Sequence, residues 1–292
     1  MNVPSVSSRT HALRGAALVL LGAASIQWSA ALVKPAFVAI GPSASSSWRF
    51  LLGALVLLGV TRPKMRGWNQ QQWLGALVLG ATAALMNQAF YQAIARIPLG
   101  GAVAIEYMGP FLVAALAKRS LRHFALVVLA GLGVLALSRP GGGITLAGAL
   151  FAVIAGASWA TYTFASHRVG GNTTRFEGLA VAMSFAALFT LPFGLGATHV
   201  VLNHPTLLGR LLLVGVMATV LGFGFEMQAL RHLKPSIVSV LLALDPAVAF
   251  LFGWLLLHER VTALDLVGLA CVVLAGIGVT YDAAREDLKL VL

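Results

Sequence analysis

The chain is poor in charge. Only 10% of its 292 residues are Asp, Glu, Lys or Arg, and just nine are acidic, whereas soluble domains carry about 25% charged residues. A water-soluble enzyme is thereby excluded. There is a single cysteine, Cys271, set in the apolar run LVGLACVVLAGIGV. It rules out a disulfide framework and any cysteine-rich metal site, and reads as a small core residue. His-Glu-x-x-His is missing, as are a phosphate-binding glycine loop and a Ser-Lys or Ser-His pair at intramembrane-protease spacing. His199 and His204 are five apart with no acid beside them, so no metal is expected there. The sequence predicts neither enzymatic activity nor a cofactor.

What the chain has is apolar length: 59% of its residues are hydrophobic. Apolar runs between polar breaks predict ten membrane spans near 12–33, 42–60, 73–95, 99–117, 124–138, 145–166, 178–197, 207–230, 235–257 and 262–281. Ten spans of about 20 residues use roughly 200 positions and leave no room for an extramembrane domain. Residues 12–33 are read as the first span rather than a cleaved leader. The breaks, such as Arg62-Pro63-Lys64 and Arg139-Pro140-Gly141, stop a helix or cannot stay in lipid.

The net charge of +11 would suggest nucleic acid in a soluble protein, but here it follows topology. With both termini in the cytoplasm, Lys34, Arg49, Arg96, Arg139, Arg210 and Arg260 fall outside, and the other fourteen of the 20 basic residues fall inside, as membrane proteins require. No nucleic-acid partner is expected; the partner is the lipid bilayer. The sequon at Asn172 falls in a cytoplasmic loop and is not expected to be glycosylated.

Weak internal similarity runs through the chain. Gln92-Ala93-Ile94 lies on Gln228-Ala229-Leu230, Pro110 on Pro246, and Trp28 on Trp159. The matches pair span 3 with 8, span 4 with 9 and span 1 with 6, which predicts two five-span halves, 12–138 and 145–281. Five is odd, so the second half is inverted in the membrane, the arrangement of secondary transporters with a midplane site. The predicted fold class is an all-α membrane protein of ten transmembrane helices in two inverted five-helix repeats around a central cavity.

Ionisable residues inside a span cost about 2.5–3.5 kcal/mol on insertion scales and so face the protein interior or a cavity. Arg49, Glu106, Glu226 and Asp245 qualify. Glu226 is read first as a structural tie to Arg231. Pro110 and Pro246 lack the N–H that would bind the carbonyl four residues back, so kinks at Gly109-Pro110 and Pro246 would free the carbonyls of Glu106 and Leu242 near Glu106 and Asp245. The alternative is a packing kink with a buried or Arg-paired acid. Asn87 and Tyr91 share one face of span 3, Gln27 and Trp28 fall mid-span in helix 1, and Trp159, Tyr162, Thr163 and Ser166 form a polar and aromatic stripe on span 6. These are read as cavity lining, or else as core packing. Trp48, Trp68 and Trp73 are read as interface anchors, with Trp254 open to either role.

The runs Pro98-Leu99-Gly100-Gly101-Ala102-Val103-Ala104-Ile105-Glu106-Tyr107-Met108-Gly109-Pro110, Leu244-Asp245-Pro246-Ala247 and Leu257-His258-Glu259 resemble the two halves of an EamA-type carrier of the drug/metabolite transporter superfamily. Ser25-Ile26-Gln27, Asn87 with Phe90-Tyr91, Gly156 with Trp159-Ala160 and Tyr162, and Glu226-Met227 are similar to bacterial amino-acid exporters within it. The resemblance implies ten helices in inverted repeats, a cavity lined by spans 1, 3, 4, 6, 8 and 9, no cofactor, and export of amino acids across the bacterial inner membrane. Asp245 departs from the Glu expected before that proline, keeping the acid at shorter reach.

An amino acid is a zwitterion at neutral pH. Gln27, Asn87 and Tyr91 can donate to its carboxylate; Trp159, Tyr162 and the kink carbonyls can take its ammonium. A site that reads only this common backbone predicts broad specificity and alternating access, within a single chain that suffices as a monomer. The alternative is a carrier of other small metabolites or cationic drugs, selected by Glu106 or Asp245.

Overall fold

The computed structural model describes the backbone of residues 6–116, 120–137, 143–169, 175–229, 232–233 and 235–289. Within those limits it describes side chains over residues 13–281, apart from 163–175, 227, 235 and 236. Among the described residues every regular element is helical. The order is α1 (Val6–Val33), α2 (Ala36–Thr61), α3 (Gln70–Ile94), α4 (Leu99–Leu116), α5 (Leu121–Leu137), α6 (Leu146–Val169), α7 (Arg175–Leu195) and the short α8 (Thr198–Asn203). One rod then runs through α9 (Pro205–Gly215), a π-helical stretch (Val216–Gly222) and α10 (Phe223–Ala229), followed by α11 (Pro235–Leu242), α12 (Asp245–Leu257) and α13 (Ala263–Lys289).

Helix lies over each of the predicted apolar runs. Among the described residues eight stretches are long and apolar enough to cross a bilayer, while the apolar stretches Leu121–Leu137 and Leu146–Tyr162 are shorter. The chain is a multi-pass membrane protein, and its outer surface agrees: Leu132, Leu135, Phe189, Phe193, Leu251 and Leu274 are exposed, a surface suited to lipid rather than water.

Local chemistry sets the ends. Asn69 and Gln72 form a reciprocal capping box, Asn69 Oδ1 accepting from the Gln72 N–H at 2.9 Å and Gln72 Oε1 from the Asn69 N–H at 2.8 Å; together they satisfy two otherwise free donors. At the end of α2, Arg62 turns left-handed with φ 44° immediately before Pro63.

Three departures from regular helix escape the apolar pattern. Inside α2, Gly41 takes φ 75° and ψ 165° before Pro42, a conformation that glycine alone adopts readily. Residues 216–222 wind as π-helix, in the middle of a predicted regular span. Between α11 and α12 the helix breaks at Ala243-Leu244, with Asp245 and Pro246 opening α12. By contrast α4 runs through Pro110 as one helix, so of the two expected proline kinks only Pro246 coincides with a break.

The helices interlock through the middle. α1 packs on the π-helical stretch, α10 and α12; α2 on α7 and α9; α3 on α6 and α7; α4 on α6 and α12; and α5 on α13. Trp48 belongs to this interior: it is buried and its indole N–H donates to the Gly194 carbonyl at 3.2 Å. It is a core residue, not the interface anchor that its place near a predicted span end suggested. The rings of Trp68 and Trp73 meet at 5.3 Å, tilted by 57°, where α3 begins.

Candidate functional site

Arg49 sits in the body of α2, 5% exposed. Counting it among the outer basic residues placed it wrongly, because α2 begins at Ala36 and carries it well inside the helix. Its Nη1 donates to Asn87 Oδ1 on α3, and Asn87 Nδ2 donates to the Ala83 carbonyl at 3.0 Å. The guanidinium lies 4.8 Å from the Phe50 ring centre and 5.7 Å from that of Tyr91, within the range of cation–π attraction. Asn87 and Tyr91 do share a face, as their spacing predicted. Asn87 spends its oxygen on Arg49, however, and one of its amide hydrogens on Ala83.

One acid lies near this cation, and two more are linked to it in turn. Glu106 on α4 is buried, within electrostatic range of both Arg49 and Asp245. Asp245, buried at the start of α12, is within range of Glu226. Glu226 was read first as a structural tie to Arg231, which lies outside the described residues; Glu226 is also within range of Tyr162. Tyr107 on α4 is within range of Asp245 and meets Trp159 edge-on at 6.2 Å. Arg49, Glu226 and Tyr107 are thus members that sequence reasoning left out of the site, although the rule that buries intramembrane charge had marked the first two.

Among the described residues several buried polar atoms have no hydrogen-bond partner: Gln27 Oε1, Arg49 Nε, the Tyr91 hydroxyl and Asp245 Oδ1, with Ser46 and Thr219 besides. Arg49 is close enough to the Tyr91 hydroxyl to act on it electrostatically, yet their geometry falls short of a hydrogen bond. Each such atom, left alone, costs about 1–3 kcal/mol. Both donors, Arg49 Nε and the Tyr91 hydroxyl, come from α2 and α3; the two acceptors Gln27 Oε1 and Asp245 Oδ1 come from α1 and α12.

Other expectations meet a different geometry. The Glu106 carbonyl, freed by Pro110, is turned onto α6, where a methyl group on Gly156 would lie 2.5 Å from it. The carbonyl is covered by a helix crossing and is not an open acceptor. Gly109 is the other half of that crossing, since a methyl there would come within 1.9 Å of the Gly156 carbonyl. Trp28 is 45% exposed and stacks on Phe252 at 6.0 Å, with 15° between the rings. Thr163 and Ser166 lie outside the described side chains. Two surface pockets, one of about 460 Å³ lined by residues 254 and 258–262 and one of about 230 Å³ lined partly by Pro35, His204 and Arg210, include none of the charged cluster, whose Arg49, Glu106 and Asp245 are buried.

With this geometry, comparison with known proteins is informative. The threonine/homoserine exporter RhtA of Salmonella typhimurium (strain LT2) is 34% identical over 272 residues, spanning 92% of each chain. RhtA of Escherichia coli (strain K12) is 33% identical over 273 residues, again 92% of each. Residues 146–281 match the EamA-like transporter family. The chain belongs to this family. It is accordingly a transporter and not an enzyme. A protein of known crystal structure, 16% identical, superposes over 94% of this chain and 99% of its own with a TM-score of 0.57, and so shares the fold.

Another feature of this EamA-like chain ties its parts at one end. In the Leu257-His258-Glu259 segment His258 turns left-handed with φ 52° and the Glu259 N–H returns to the Gly253 carbonyl at 3.1 Å. The Glu259 carboxylate then accepts from Lys34 Nζ at 2.9 Å and, through both oxygens, from the Leu99 N–H at 3.0 Å. It caps α4 and holds the α1–α2 turn against the end of α12.

Proposed function

We propose that the protein exports amino acids across the bacterial inner membrane by alternating access, as a monomer of ten spans in two inverted halves, 12–138 and 145–281, with both termini in the cytoplasm. The observation that carries this reading is the buried cluster of both signs of charge. Its unpartnered donors belong to α2 and α3, and its unpartnered acceptors to α1 and α12. A zwitterion needs that division: Arg49 and Tyr91 suit the carboxylate, and Asp245, Gln27 and Glu106 suit the ammonium, with Trp159 and Tyr162 as aromatic neighbours. Amino-acid side chains would then be left to apolar surroundings, which gives broad specificity.

The inverted repeat is supported by the pairing of helices. If α9 to α10 count as span 8, α11 to α12 as span 9 and α13 as span 10, then α3 on α6 mirrors α1 on span 8, and α4 on α6 mirrors α1 on span 9. Likewise α3 on α7 mirrors α2 on span 8. The family match begins at residue 146 and ends at 281, the limits of the second half within one residue. The names of the RhtA relatives supply threonine and homoserine as first substrates to try.

The test is transport by the purified chain in proteoliposomes. Labelled threonine should cross, and other amino acids should compete with it. Two buried acids and the half-buried Glu226 against one Arg also suit a cation, so a panel of organic cations belongs in the same assay. Carriage of the cations with no movement of threonine would replace the amino-acid reading by that of a cationic metabolite or drug carrier.

A further inference from the structure

A cation buried in a membrane protein ordinarily finds an anion, because both gain by it. Arg49 does not. Glu106 is within electrostatic range, yet among the described residues Arg49 forms no ion pair. Its Nη1 is given to the neutral oxygen of Asn87. That amide has only one useful orientation, since its nitrogen must donate to the Ala83 carbonyl, 3.0 Å away. Asn87 thus presents an acceptor to Arg49 without neutralising it. The rings of Phe50 and Tyr91 flank the guanidinium, and Tyr91 is itself held against Phe37 and Phe90, with ring centres 5.6 Å and 6.3 Å away. Arg49 Nε and the Tyr91 hydroxyl remain as donors with no acceptor among the described residues.

We propose that Arg49 is the carboxylate anchor of the substrate site, and that Asn87 is its positioning residue, holding the guanidinium apart from Glu106 so that the two ends of a zwitterion find separate partners. The proposal rests on the amino-acid reading above and deepens it, because it names the group that tells an amino acid from the corresponding amine. A guanidinium offers two parallel N–H bonds to a carboxylate, and charge-assisted bonds of this kind are the strong ones. Were Arg49 to close on Glu106, both charges would be spent on each other, and neither end of the substrate would be held.

The experiment is equilibrium binding to the full chain in nanodiscs, with threonine and its decarboxylated amine, 1-aminopropan-2-ol, as the two probes. Wild type should prefer threonine. Arg49→Gln should lower threonine binding by about ten- to a hundredfold and leave the amine unchanged, so the preference collapses. Arg49→Lys keeps the charge but not the fork, and should lose part of the preference even where the Gln variant fails to fold. Asn87→Asp, of nearly the same shape, should pair with Arg49 and lower threonine binding alone, whereas Asn87→Gln, a neutral acceptor, should retain more of it. Equal losses for both probes in the Arg49 variants, or an unchanged preference in Arg49→Lys, would make Arg49 a packing residue and overturn the proposal while amino-acid export stands. An unchanged preference in Asn87→Asp would remove Asn87 from the proposal. A wild type that binds no threonine would defeat the amino-acid reading itself.

Discussion

At Gly156 a single hydrogen decides how closely α4 and α6 meet. The Glu106 carbonyl has lost its helical donor to Pro110 and rests against this glycine, so a methyl group would intrude to 2.5 Å. Gly156→Ala is expected to force the two helices apart and cost about 1–3 kcal/mol, the usual range for overpacking, read as a lower melting temperature in detergent. Gly131→Ala is the control: a methyl there meets nothing within 4 Å, and alanine is the better helix former by about 0.5–1 kcal/mol, so the melting temperature should hold or rise. At this scale the sequence was half legible. Intramembrane charge is costly enough that Arg49, Glu106, Glu226 and Asp245 could be marked without coordinates. Depth and direction could not, since a side chain's neighbours come from other helices; hence Arg49, though marked as lying inside a span, was counted with the outer charges, and the Glu106 carbonyl was read as an acceptor for the substrate.

The elements were legible because twenty apolar residues in lipid have little choice but to satisfy their own backbone as helix. Departures from helix were less so. Nothing in the run Val216-Met217-Ala218-Thr219-Val220-Leu221-Gly222 distinguishes bonding four residues back from bonding five back, and the π-helical stretch follows from its packing on α1, where Ser25 Oγ donates to the Met217 carbonyl at 2.7 Å. Proline marks a position but not its consequence: Pro110 is accommodated within α4, whereas Pro246 sits in the first turn of α12 after a break, where its missing N–H costs nothing. Pro246→Ala should therefore let α11 and α12 join more readily and slow turnover in the proteoliposome assay at unchanged expression, and Pro110→Ala should leave turnover near wild type. Equal effects of the two would deny the break a part in transport. The clasp at Glu259 belongs to this scale too. Glu259→Ala leaves the Leu99 N–H without its acceptor and should cost about 1–3 kcal/mol, against about 1 kcal/mol or less for Lys34→Ala, which removes only the partly exposed ion pair; melting temperatures of the two variants check the order.

For the whole molecule, an inverted repeat requires that equivalent loops of the two halves lie on opposite faces. The α2–α3 loop and the segment after α7 are such a pair, and Lys64 and His199 are exposed in them. With Cys271 replaced by Ala, single cysteines at the two positions should react with an impermeant reagent from opposite sides of the membrane; labelling from one side would remove the inverted repeat. The proposed repeat rests on a few aligned residues and an odd number of spans. The charged cluster was harder to read from the sequence, because its members come from separate helices and come together only in the folded chain. The central claim, that one buried cluster reads both ends of a zwitterion, is tested most directly by competition against labelled threonine in proteoliposomes. Threonine derivatives lacking one charge, N-acetylthreonine and 1-aminopropan-2-ol, are each predicted to compete far more weakly than unlabelled threonine or homoserine. Competition by either derivative equal to that of threonine would contradict the account.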